Sequence, residues 1–147
     1  MAGEQRLVPI GTARTPYKNR RDAPRQGRTT NSLSTLEILP RFETGLDSLE
    51  TFSHLIVLYW QHMGDRNKFR TTTPWGPEVR GVFATRSPNR PNPIGLCVVE
   101  LVAKCGLVLT VRGMDAVDES AILDIKPYFP ELDSVPHAGR RETNDPA

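Results

Sequence analysis

The sequence predicts an all-β, or mostly β, single domain with long loops and few short helices. Three observations carry that prediction. Apolar runs of strand length recur at 53–60, 94–104, 107–112 and 121–129, with turn residues between them. No helical spacing of apolar residues is sustained for the length of an ordinary helix. Thirteen prolines in 147 residues, with 37% hydrophobic residues, suit strands joined by structured loops better than a helical bundle. A chain of this length makes one domain, read here as residues 1–136 with a polar tail at 137–147.

Taken in order, residues 6–13 (RLVPIGTA) read as a first strand with Pro9 near its start, at an edge. Residues 14–31 form a long loop carrying Arg14, Lys18, Arg20, Arg21, Arg25 and Arg28 against one acid, Asp22. A loop of that length is either functional or disordered, so a phosphate clamp and a flexible basic loop are both open. Residues 33–39 suggest a second strand, and 45–52 a helical turn with Leu46, Leu49 and Phe52 on one side. The run SHLIVLYW (53–60) predicts a strand buried on both faces, ending in Gln61 and His62 at a rim; His54 reads as structural. Residues 63–79 read as irregular, with Trp75 either a plug over the core or a stacking platform. Residues 82–85 predict a strand entering a proline-rich loop. Residues 94–104 and 107–112 predict a hairpin turning at Lys104-Cys105-Gly106. A turn-rich acidic connection (113–120) leads to a last strand, AILDIKPYF (121–129), broken by Pro127.

Net charge is only +2, but it is unevenly spread: residues 6–90 hold 14 basic and 7 acidic side chains. A basic first half can face phosphates or be solvated loop charge. The N-terminus lacks the apolar core of a signal peptide and no apolar run is long enough for a membrane span, so the expected location is cytoplasmic. Cys97 and Cys105 need not pair, and they are too few for a zinc site, so no metal is expected. The glycine-rich fingerprint of a Rossmann domain is absent.

The stretch GVFATRSPNRPNPIGLCVVEL (81–101) stands apart. Pro88, Pro91 and Pro93 each fix φ and push the preceding residue out of the helical region, so the loop is held stiff. Arg86, Asn89, Arg90 and Asn92 project from it, and polar groups already in place lose little entropy on binding. ATRSPNRPNPIGL resembles the signature of the TrmO (TsaA-like) family of methyltransferases. PIGTARTPY with PRQ, then FSHLIVLYWQH, then LDIKPY follow that family's order over roughly residues 8–136. The resemblance implies a compact β-barrel paired as a homodimer, with S-adenosylmethionine as methyl donor. It implies tRNA as substrate, methylated on the exocyclic nitrogen of threonylcarbamoyl-adenosine beside the anticodon.

On these matched positions the resemblance implies a cofactor site of Arg25, Gln26, His62, Arg86, Leu96, Gly113, Met114 and Asp115. Side-chain chemistry suggests Arg25 or Arg86 for the carboxylate, Leu96 and Met114 for the adenine slot, and Asp115 for the ribose hydroxyls. In DIKPY, alternation puts Asp124, Lys126 and Tyr128 on one strand face, where they are the catalytic candidates. A cross-strand ion pair is the plainer account of that spacing. An unpaired anticodon base is read by edge contacts and stacking, for which Asn89, Arg90 and Asn92 are loop donors. Arg20 and Arg21, with Lys18 and Arg28, suit phosphates. Where the family reads D-G-T-P, this chain has Asp118-Glu119-Ser120-Ala121, which changes the turn and puts substrate identity in question. A small-molecule methyltransferase and a non-catalytic cofactor-binding module remain the other readings.

Overall fold

The computed structural model describes residues 3–74 and 76–141. Six strands close a barrel: β1 (Gly11–Arg14), β2 (Leu33–Ile38), β3 (His54–Trp60), β6 (Ile94–Cys105), β7 (Val108–Arg112) and β8 (Ser120–Pro127). Their order around the barrel is β1-β2-β7-β6-β3-β8, every neighbouring pair antiparallel, with β1 closing onto β8 at Gly11 opposite Ile122. Closure leaves these strands no open edge. β4 (Arg70–Thr73) and β5 (Gly76–Gly81) form a separate two-stranded arm.

The core is the inner face of the barrel: Leu36, Leu55, Val57, Leu109, Val111 and Ile122 are fully buried. Each contributes about 1.5–3 kcal/mol by leaving water. Two 3₁₀ turns before β3, Pro40–Leu46 and Leu49–Thr51, drive Leu46 and Leu49 into the barrel end where β3 begins, with Phe52 packed beside them. Phe129, just ahead of the short helix α1 (Pro130–Asp133), meets Phe52 edge-on at 5.6 Å.

Four local expectations change. β3 is buried on one face: Leu55, Val57 and Tyr59 point inward, while Ile56, Leu58 and Trp60 alternate outward and are half-buried. A barrel strand has only one interior, so an apolar run on it signals a second apolar surface rather than a second core. The first strand begins at Gly11, because Pro9 has no N–H for the ladder; Ile10 makes the last contact, donating to the Ile122 carbonyl. Residues 63–79 contain the β4–β5 arm. Its register shifts between Thr72 and Thr73, leaving Pro77 and Glu78 unpaired, so the proline breaks no ladder bond. Residues 82–85 form a 3₁₀ turn (Val82–Ala84), not a strand. The Arg90 guanidinium takes the Val82 and Thr85 carbonyls that a sheet would use. Trp75 and the tail beyond residue 141 lie outside the described residues.

The altered turn before β8 keeps a glycine-like shape without glycine. Glu119 sits at φ 68°, in the left-handed region where a side chain crowds the backbone. Arg14 reaches its carboxylate at 3.4 Å, a long and exposed ion pair that offsets little. We expect Glu119→Gly to stabilise the domain by roughly 1 kcal/mol, read as a rise in Tm of several degrees. No rise would mean that the turn accommodates Glu119 without strain.

Candidate functional site

At the barrel end where β3 finishes and β6 begins lies a cavity of about 760 Å³. Its walls come from several stretches that the fold brings together. The loop after β1 supplies Arg25 and Gln26, the end of β3 supplies Gln61 and His62, the proline-rich loop supplies Arg86, and the start of β6 supplies Leu96. The arm closes one side with Thr71, Thr72 and Thr73. Among the described residues Asp115 is the one acidic side chain on this lining, against Arg20, Arg25, Arg86 and Arg90.

Beneath it, Asp115, which the sequence had marked, is held by groups that the sequence reading missed: Tyr59, Gly27, Gly95 and Cys97. Tyr59 Oη donates to Asp115 Oδ1 at 2.7 Å, and the Gly27 amide donates to Asp115 Oδ2 at 3.2 Å. Asp115 thus holds the basic loop, one residue past Gln26, against the barrel. Burial pushes the Asp115 carboxyl above its ordinary value, and the Tyr59 and Gly27 hydrogen bonds oppose that rise. Tyr59 and Cys97 are pushed up too, by burial first and then by the neighbouring carboxylate. Cys97 Sγ donates to the Gly113 carbonyl at 3.2 Å. Glycine is required at two points. A Cβ on Gly95 would lie 2.4 Å from the Tyr59 ring, and one on Gly27 would lie 1.8 Å from the Gly113 carbonyl oxygen. Gly95 pairs directly with Tyr59 across β6 and β3, so the tyrosine–glycine match is visible only once that register is known.

The proline-rich loop is stapled rather than free. Arg90, beyond its bonds to Val82 and Thr85, is half-buried, with Nε left unpartnered inside the protein. Asn89 Oδ1 accepts from the Asp65 amide at 2.9 Å and from Arg20 at 3.3 Å. Asn92 Oδ1 accepts from Arg66 at 3.4 Å. These polar groups already hold loop to loop, which accounts for the loop's shape. Arg86, by contrast, lines the cavity with no carboxylate within ion-pair distance among the described residues.

Of the other sequence-selected positions, Arg20, Asn89 and Arg90 line the cavity, whereas Arg21, Asn92 and Gly113 do not. Met114 is fully buried in the barrel core, so its side chain packs Leu and Val neighbours rather than an open slot. Asp124 and Lys126 pair with Leu58 and Ile56, and the Tyr128 amide donates to the His54 carbonyl. Directly paired residues share a sheet face, so these three polar groups sit together on the outer wall, not in their own chain's cavity. Lys126 Nζ lies 2.9 Å from Asp124 Oδ2. The same wall carries Ile94, Leu96 and Val98, paired with Trp60, Leu58 and Ile56. Ile94 and Leu96 are 40% and 46% exposed and also form the cavity's edge, so apolar wall and cavity are continuous. Among the described residues no cluster of His, Cys, Asp and Glu has the makings of a metal site, and no helix is long and apolar enough to cross a membrane.

Residues 12–134 match the tRNA-methyltransferase O N-terminal domain family. A probable S-adenosyl-L-methionine-binding protein of Methanothermobacter thermautotrophicus is 49% identical over 132 residues, covering 90% of this chain and 96% of that one. The tRNA (adenine(37)-N6)-methyltransferase of Escherichia coli is 38% identical over 140 residues, covering 88% of this chain and 60% of that one. The crystal structure of TrmO from Pseudomonas aeruginosa superposes with a TM-score of 0.80 at 34% identity. It covers 99% of this chain, which spans 65% of that longer one.

Proposed function

The chain belongs to the tRNA-methyltransferase O family of S-adenosylmethionine-dependent methyltransferases, and from that premise we propose that it methylates N6 of threonylcarbamoyl-adenosine beside the anticodon of tRNA. The observation that carries this is convergence: PRQ, the strand-end histidine, Arg86 and Asp115 come from separate elements and meet around one cavity.

The lining fits the cofactor by its chemistry. S-adenosylmethionine, when bound, supplies an electrophilic methyl group on a cationic sulfur. Arg25 and Arg86 offer guanidinium forks for its carboxylate, Leu96 and Ile94 an apolar edge for its adenine, and Asp115 an acceptor for its hydroxyls. Asp115 is also the counter-charge that keeps a cation tolerable among four arginines. Met114 contributes through the core, by holding Asp115 in place.

The placement of Asp124, Lys126 and Tyr128 supports a homodimer. Their wall is apolar, exposed and continuous with the cavity's edge, and it mixes opposite charges, as a self-complementary two-fold contact requires. A second copy seated there carries its Asp124 toward the first copy's cavity. The site then draws its cofactor residues from one subunit and its acceptor from the other. The acceptor's role is to receive the proton that a poorly basic carbamoyl-linked nitrogen retains as its new bond to carbon forms.

The test uses S-adenosylmethionine labelled in its methyl group and two tRNA pools, with and without threonylcarbamoyl-adenosine, followed by nucleoside mass spectrometry. Label in the modified nucleoside alone is the expected result. Label in unmodified adenosine would overturn the substrate assignment, and cofactor binding without label in either pool would move the substrate to a small molecule.

A further inference from the structure

The β4–β5 arm is not explained by the cavity alone. A two-stranded ribbon is marginal in water, and this one pairs with no barrel strand. Its first strand borders the cavity through Thr71, Thr72 and Thr73. Its root exposes two aromatic rings to solvent: Phe69, 67% exposed, and Phe83, 84% exposed. They flank the last rungs of the ribbon, where Arg70 pairs with Gly81 and the Val82 amide donates to the Phe69 carbonyl. Exposing two phenyl rings beside a functional cavity is unfavourable unless something covers them.

Charge identifies what covers them. Lys68 and Arg70 flank Phe69 in the chain and Arg86 follows Phe83 by three residues, and among the described residues none of the three has a carboxylate within ion-pair distance. Over residues 65–90 the chain carries six basic side chains (Arg66, Lys68, Arg70, Arg80, Arg86, Arg90) and two acidic ones (Asp65, Glu78). A two-fold contact between copies would set this cationic patch against itself, which is disfavoured, whereas the Asp124–Lys126 wall has no such conflict. Aromatic faces interleaved with unpaired cations are the features that hold single-stranded nucleic acid: bases stack on the rings and phosphates meet the cations.

We propose that the root of the arm is the landing surface for the single-stranded loop of the RNA substrate. Phe83 and Phe69 stack on nucleotides flanking the target base, and Lys68 and Arg70 hold their phosphates. This rests on the tRNA reading above. It gives the arm a purpose: the threonine strand bounds the cavity while its root aligns the RNA, so the target base enters beside Arg86.

The test compares wild type with Phe69→Ala/Phe83→Ala and with Lys68→Glu/Arg70→Glu, using a fluorescent anticodon stem-loop RNA, a calorimetric titration of S-adenosylmethionine, and sedimentation. The aromatic pair should lose about tenfold or more in RNA affinity, the range of stacking losses per base. Charge reversal should weaken binding and flatten its salt dependence. Cofactor affinity and sedimentation should match wild type in both. Unchanged RNA affinity in the aromatic variant would overturn the proposal. So would its sedimenting more slowly than wild type, which would make the rings a subunit contact. A wild-type protein that binds cofactor but no RNA would defeat the tRNA reading itself, and this inference with it.

Discussion

Gly27→Ala is expected to lower S-adenosylmethionine affinity by about 100-fold while leaving the barrel folded, the upper end of an overpacking penalty of about 1–3 kcal/mol. The added Cβ would stand 1.8 Å from the Gly113 carbonyl oxygen and 2.5 Å from Cys97 Sγ. A flexible side-chain end could swing away, but the first of these is backbone, followed in the chain by the fully buried Met114 and the half-buried Asp115. The loop must therefore lift, since the barrel cannot give. Lifting breaks the Gly27 amide's bond to Asp115 and carries Arg25 and Gln26 outward with it. Tm should fall modestly, because the loop adds little to the core. Gly45→Ala is the control, as a Cβ there meets nothing within 4 Å. Retained cofactor affinity in Gly27→Ala would mean that the PRQ segment does not hold the ligand.

Mixing two inactive variants should restore activity. Arg25→Ala removes a cavity residue, and Asp124→Ala removes one on the outer wall. If each site takes Arg25 from one subunit and Asp124 from the other, a mixed dimer holds one intact site and one doubly damaged site. Random exchange makes about half the dimers mixed, so activity should return to about a quarter of wild type in a two-fold assembly. If both residues serve the same subunit's site, every site in the mixture is damaged and nothing returns. Asp124→Ala alone should lose at least about 100-fold in turnover, in the range of a removed proton acceptor, and Arg25→Ala alone should lose activity through weakened cofactor binding. The pair of results separates a shared site from a simple surface ion pair, whose loss would leave turnover intact.

Much of the architecture was legible in the chain. Short apolar runs divided by prolines required strands, and β2, β3, β6, β7 and β8 fall where those runs lie. Helix-like spacing at Leu46 and Leu49 marked the turns that plug one barrel end. The motifs also picked out positions that the fold gathers: PRQ, His62, Arg86, Leu96 and Asp115 line one cavity. Less legible was the arm, because its Thr-rich strand is short and its prolines argued against pairing until a register shift gave Pro77 an unpaired place. The roles of Asn89 and Arg90 were also hidden. A polar side chain on a loop reads as a ligand contact, and only the folded chain reveals that Arg90 serves the Val82 and Thr85 carbonyls.

By itself, the sequence determined what is local or periodic: which segments extend, where prolines stiffen the chain, and which residue types stand ready for a cationic cofactor and a polyanionic substrate. The tertiary structure decided everything that depends on which face a residue occupies. Alternation put Asp124, Lys126 and Tyr128 on a common face, but strand pairing alone determined that this is the outer wall rather than the cavity. The same holds for β3, whose outward Ile56, Leu58 and Trp60 looked like core until the barrel gave the strand a single interior. The physical reason is that a strand's pattern specifies two faces and leaves them unassigned. Closure and register, which are long-range, choose between them.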